Sequence, residues 1–161
     1  MFTGDGAGGS GDFLMEALNR TGFANIPTSR HVDDGLVLYD AYIVAAVRCA
    51  PPANTPLPEE ITRCLEHLEA EIAELPRVQV VVALGKIAFD VWLRLLKSRG
   101  AEVRSPRPQF AHGALVRVTG PDGLPKIILG CYHPSRQNTN TGKLTRAMMA
   151  RVFRKAKGLL R

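Results

Sequence analysis

Apolar residues fall along this chain in two kinds of run, and their order sets the expected architecture. Four runs are short and continuous: Ala41 to Val47, Val78 to Gly85, Ala114 to Val118 and Lys126 to Cys131. Runs of that length, rich in Val, Ile and Leu and bounded by Gly, Pro or polar residues, suit strands covered on both faces. The remaining apolar residues recur at helical spacing: Phe13, Leu14, Ala17 and Leu18; then Ile61, Leu65, Leu68 and Ile72; then the segment Lys86 to Ser98 with Trp92; and finally Met148, Val152, Ala156 and Leu159 or Leu160. Punctuation supports the division. Ser10 or Asp12 caps a first helix that ends near Gly22, Pro58-Glu59-Glu60 opens the second, Gly85 makes a tight turn into the third, and Thr145 caps the last. A Pro-rich link from Ser105 to Gln109 and a Pro-Asp-Gly turn at Pro121 separate the later strands. Strands alternating with helices predict a three-layer α/β/α sandwich with a mostly parallel central sheet, a single domain over residues 1–161 without internal repeats.

Charge changes the picture more than composition does. The net charge is +6, yet all 15 acids lie at or before Asp122, and nine Lys or Arg follow between Lys126 and Arg161. The exposed side of the last helix is basic, with Arg146, Arg151, Arg154, Lys155 and Lys157. Such a segment favours a polyanionic partner, although a charge run also serves as an ordinary solvated face. No apolar run approaches the roughly 20 residues that span a bilayer, and the first residues lack the basic and apolar regions of a signal peptide. A cytoplasmic, monomeric protein that does not bind membranes is the expectation. Three cysteines, Cys49, Cys64 and Cys131, argue against a disulfide framework and leave burial or metal ligation open.

Candidate chemistry concentrates in Leu129 to Asn138. A buried strand runs into Tyr132-His133-Pro134-Ser135-Arg136-Gln137-Asn138, and Pro134 forbids its continuation as a central strand. His133 therefore stands at the carboxyl end of a strand, the edge where open parallel α/β sheets bind ligands. Histidine there exchanges a proton near neutral pH, and the Ser, Arg, Gln and Asn that follow suit phosphates or base edges; the plainer alternative is a strand-end turn of solvated polar residues. Residues Met1 to Gly11 fit G-x-G-x-x-G spacing twice, but no strand precedes them and the P-loop lysine is absent. Asp5 is a carboxylate among small residues before a helix, or simply a turn former. The apolar run ending at Val47 likewise delivers Arg48-Cys49-Ala50-Pro51-Pro52-Ala53-Asn54 at its carboxyl end.

Four of these pieces together resemble the uracil-DNA glycosylase superfamily, and within it the iron-sulfur-containing family 5 branch. They are Phe2-Thr3-Gly4-Asp5-Gly6 with Ser10-Gly11-Asp12, Ala45 to Asn54, Val81-Val82-Ala83-Leu84-Gly85, and Tyr132 to Thr139. The resemblance implies roles residue by residue. Phe2 is similar to the aromatic on which a flipped uracil stacks, Asp5 to the carboxylate that assists attack of water, and Asn54 to a polar residue lining the pocket. His133 resembles the histidine that hydrogen-bonds uracil as negative charge develops on it. Ser135, Arg136, Gln137 and Asn138 resemble the loop that pushes into the duplex. Cys49 and Cys64 resemble two of the four cysteines that hold a four-iron four-sulfur cluster, whereas Cys131 falls at a non-ligand position. The implied substrate is DNA containing uracil or related deaminated bases.

Some of the family pattern is absent. The upstream segment with a first strand, a Gly-x-Ala-Pro-type motif and two further cluster cysteines has no counterpart in these 161 residues. The domain is accordingly expected to be N-terminally incomplete, and two thiols alone cannot hold a four-iron cluster. Two alternatives stand beside a glycosylase: a noncatalytic nucleic-acid-binding remnant of such an enzyme, and a nucleotide-binding α/β module using the glycine loop.

Overall fold

The computed structural model describes residues 9–48, 56–103, 106–120 and 127–160. In chain order the elements are α1 (Ser10–Arg20), α2 (Pro58–Ala73), β1 (Val80–Leu84), α3 (Lys86–Ser98), β2 (Leu115–Arg117), β3 (Ile127–Cys131), α4 (Arg136–Asn140) and α5 (Arg146–Lys157). The fold is α/β, as the alternation of runs predicts. Its contacts divide the chain into two compact units, Met1–Tyr42 with Cys131–Arg161, and Ile43–Gly130.

The second unit carries the sheet, in the order β1-β3-β2. β2 pairs antiparallel with β3, Val116 facing Ile128, since the nine residues between Arg117 and Ile127 in sequence are too few for a crossover helix. β1 enters α3 through Gly85, whose φ of 92° lies where only glycine is unstrained. Phe89, Leu95, Leu96 and Ile128 are fully buried in the unit's core, against Leu68 and Ile72 of α2. Pro58 sits in the first turn of α2, and the Glu60 carboxylate accepts a 2.8 Å hydrogen bond from the Leu57 N–H, so the Pro-Glu-Glu start works as its chemistry predicts. A side chain at Gly130 of β3 would collide with the Ala111 carbonyl, and the Gly130 carbonyl accepts from the Gly113 N–H at 2.7 Å.

Two expectations need correction. Ala41 to Val47 is not a strand: no ladder partner meets it among the described residues, and it runs as irregular chain. Its apolar side chains still have a use, since Val44 and Ala46 pack against the core of the second unit. A strand is defined by pairing, which an apolar run alone does not provide. Nor does Ser10 cap α1. The Phe13 N–H bonds the Gly9 carbonyl, which makes Gly9 the N-cap and places Ser10 inside the helix.

In the first unit α1 packs on α5. Leu14, Leu18, Met149 and Val152 are buried, and Phe23 meets Phe153 edge to face with centroids 6.2 Å apart. The buried stripe of α5 is broader than the periodicity suggests: Val152 and Ala156 lie in it as expected, Met149, Ala150 and Phe153 join them, and Met148 is only partly covered. Thr145 caps α5, its hydroxyl accepting from the Met148 N–H at 3.2 Å.

Candidate functional site

The turn that follows β3 is built almost entirely from its own residues. Pro134 is buried, which fixes the chain where it leaves the strand, while His133 beside it is exposed. The segment that reads as a loop in the sequence contains a short helix, α4. Ser135, at φ −65° and ψ 152°, caps it by accepting a 3.3 Å hydrogen bond from the Asn138 N–H. The Asn138 side-chain amide turns back and donates to the His133 carbonyl at 2.9 Å, and the Asn138 carbonyl accepts from the Leu144 N–H at 3.0 Å. The Thr139 and Thr141 hydroxyls donate to the carbonyls of Ser135 at 3.1 Å and Gln137 at 2.7 Å, beside the backbone N–H groups already bound there. Lys143 lies 5.2 Å over the Tyr132 ring. A histidine next to a strand end is thereby held by three neighbours, one buried ring, one cap and one amide.

Sequence reasoning places Ser135, Arg136, Gln137 and Asn138 together as DNA contacts, and the fold puts all four on one turn in two different settings. Ser135 and Asn138 bond within the turn, and the Arg136 and Gln137 side chains are exposed. The positioning role of Asn138 is the feature the sequence hides. Its only signal is the five-residue spacing to His133 across a proline and a cap residue, which is short enough for an Asn to reach back.

Phe2, Asp5, Cys49 and Asn54 lie outside the described residues. Cys64 is described: it is buried in α2, and its sulfur accepts a hydrogen bond from the Arg48 N–H at 3.4 Å. The Arg48 guanidinium also pairs with Glu71 at 2.7 Å. These two contacts fasten the end of the Ala41-to-Arg48 segment to α2, so the residue preceding Cys49 lies against Cys64. An N–H donated to sulfur is compatible with a ligand position. The chain's thiols nevertheless do not fit a complete cluster. A four-iron cluster takes four, two matching cysteines are present, and no group of three or more metal-ligating side chains occurs among the described residues. Cys131 is wholly buried, and desolvation pushes its thiol up to about 12, which keeps it protonated.

A family model described as the uracil DNA glycosylase superfamily matches residues 1–157. The chain belongs to this superfamily. Among curated uracil-DNA glycosylases it is 44% identical over 160 residues to the type-5 uracil-DNA glycosylase of Mycobacterium bovis, covering 99% of this chain and 56% of that protein. It is 45% identical over 158 residues to the type-5 uracil-DNA glycosylase of Thermus thermophilus, covering 98% and 66%. To the type-4 uracil-DNA glycosylase of Thermotoga maritima the identity is 29% over 136 residues, covering 80% and 61%. The chain thus spans between about half and two thirds of the length of these uracil-DNA glycosylases.

Proposed function

We propose that the protein to which this chain belongs is a DNA repair glycosylase that hydrolyses the N-glycosidic bond of uracil, or of related deaminated bases, after flipping the base out of the duplex. The observation that carries this reading is the exposed His133 on a turn fixed by buried Pro134 and by the Asn138 amide, in a chain of this superfamily. Breaking the glycosidic bond builds negative charge on the uracil and positive charge on the sugar. A donor at the base stabilises the first most when it needs no reorganisation, and a turn tied by its own hydrogen bonds supplies that. Asp5 is the carboxylate that orients the attacking water and faces the positive sugar. Phe2 stacks on the extruded base and Asn54 lines its pocket. Extrusion costs a few kcal/mol, which stacking and an inserted segment offset. Arg136 and Gln137 are the side chains of the turn that reach the DNA, and Ser135 and Asn138 give the turn its shape. Cys49 and Cys64 are two of the four cysteines that hold a four-iron four-sulfur cluster in the parent protein, the others lying in sequence beyond these residues. The protein acts as a cytoplasmic monomer.

The test is a single-turnover assay of the longer protein on uracil-containing DNA. His133→Ala is expected to lower the rate about 10²- to 10³-fold, the usual consequence of losing one preorganised donor, while affinity for the same DNA changes little. A rate within about twofold of the unaltered protein would reduce His133 to a structural residue. DNA binding with no base release from the unaltered longer protein would instead favour the noncatalytic alternative.

A further inference from the structure

The basic residues beyond Asp122 divide by what they touch. Lys143 lies over Tyr132. Arg146 pairs with Glu16, which also holds Arg20 at 2.8 Å, and its guanidinium rests 5.1 Å from the centre of the Phe13 ring. Lys157 donates to the Thr21 carbonyl at 3.0 Å and the Gly22 carbonyl at 3.3 Å and lies 5.4 Å over Phe23. It satisfies backbone groups that the C-terminus of α1 would otherwise leave open. These three cations hold the first unit together. Arg151 and Arg154 do none of this. Both are exposed, and neither takes part in an ion pair among the described residues.

We propose that the outer face of α5 is a second contact with DNA, separate from the turn at His133, in which Arg151 and Arg154 each hold a backbone phosphate. On a helix, residues 147, 151, 154 and 155 fall at i, i+4, i+7 and i+8 and share one face, here Ala147, Arg151, Arg154 and Lys155, all exposed. Ala147 leaves that face low, so a rod of phosphates can approach the guanidinium groups. Helix α5 has no acid to offset them, and like charges three and four residues apart destabilise a helix. The helix dipole accounts for cations in the last turn, Arg154, Lys155 and Lys157, but not for Arg151, which precedes it. Arginine rather than lysine at both unpaired positions favours forked hydrogen bonding to phosphate oxygens. The inference rests on DNA being the substrate and adds where the strand is gripped beyond the flipped base.

The experiment is binding of this chain to a fluorescently labelled DNA duplex lacking uracil, read by anisotropy over a salt series. The chain is compared with R151Q/R154Q and with K157Q, each checked for helicity and melting temperature. Losing two phosphate contacts should reduce the slope of log affinity against log salt by about 1.8, or about 60-fold in affinity near 0.1 M salt. K157Q should lower the melting temperature and leave the slope within about 0.3 of the unaltered chain. An unchanged slope in R151Q/R154Q, with binding by the unaltered chain intact, overturns this inference and leaves the glycosylase reading standing. An equal loss of slope in K157Q overturns it too, because charge anywhere on the helix would then serve. Absence of DNA binding by the unaltered chain also overturns this inference, whereas the glycosylase reading stands or falls on the base-release assay of the longer protein.

Discussion

Two segments carry the residues most worth testing, and they are held in opposite ways. The turn from Tyr132 to Asn140 is fixed by partners within a few residues: a buried proline, the Ser135 cap, the Asn138 amide and two threonine hydroxyls. The segment from Ala41 to Arg48 forms no helix or strand and is fastened at a distance. Val44 and Ala46 lean on the core, and Arg48 reaches α2 through its backbone N–H to Cys64 and its guanidinium to Glu71. A locally bonded turn holds one group in one geometry. A remotely fastened segment takes its geometry from whatever it is fastened to, which suits a place where a ligand shared with other parts of a protein would complete the structure.

The contrast can be broken at the cysteines. Cys131, which leads into the turn, is protonated in the fold and ionises only near about 12, against an ordinary value of 9.0. Its folded-state value is raised, so the stability it contributes is intact below pH 9 and is lost progressively between pH 9 and pH 12. The loss reaches at most about 4 kcal/mol, since each pH unit is worth 1.36 kcal/mol. Denaturant midpoints of the chain should therefore fall more steeply above pH 9 than those of Cys131→Ala. Equal slopes would mean that the thiol is open to water and the start of the turn is loose.

Asn138→Ala sharpens the comparison within the turn itself. Loss of the amide that steadies the His133 carbonyl should lower the single-turnover rate of the longer protein on uracil-containing DNA about tenfold, the equivalent of about 1.4 kcal/mol. Affinity for that DNA should stay within about twofold. The reverse pattern, weaker binding at an unchanged rate, would make Asn138 a DNA contact and the turn no more preorganised than the other segment.

The smallest effect belongs to Arg48→Ala. The ion pair with Glu71 is half exposed on the arginine side, so its loss should amount to a few tenths of a kcal/mol, while the backbone N–H donated to Cys64 survives the substitution. A melting temperature lowered by less than about 1 °C is expected from such a change in a chain of this size. A fall of several degrees would show that the side chain, not the backbone and the apolar contacts, fastens the segment.

How much could be read from the sequence follows from how local each determinant is. The helices announce themselves where a cap or a proline stands next to a periodic apolar face, as at Pro58, Gly85 and Thr145, and those starts agree with the structure. The Ala41 run misleads because strand formation needs a partner that its own residues do not name. The short helix α4 is hidden because Arg-Gln-Asn-Thr-Asn has no apolar face, and its cap Ser135 reads equally well as a polar contact residue. The family resemblance singles out His133 and Cys64, but the amide behind His133 and the N–H on Cys64 are matters of folded distance. The basic helix shows the same limit: five cations look alike in a string of letters, and only the positions of Glu16, Thr21 and Gly22 separate those that brace the fold from those that face solvent.

The bond from Lys157 to the end of α1 also bears on how the chain assembles during synthesis. It joins residues 136 positions apart, and the first unit as a whole is made from two stretches that flank the second. The second unit is continuous, so every residue it needs has been made once Gly130 emerges from the ribosome. α1 must wait, its apolar face uncovered, while those 88 intervening residues are made and α5 follows. From Arg20 to Lys157 the chain grows by 137 residues, so at about 5–20 residues per second that wait is roughly 7–27 s, ample time for a nascent chain to meet a chaperone or a protease. Leu14 and Leu18 are on this account the residues most exposed to quality control before the protein has finished being born.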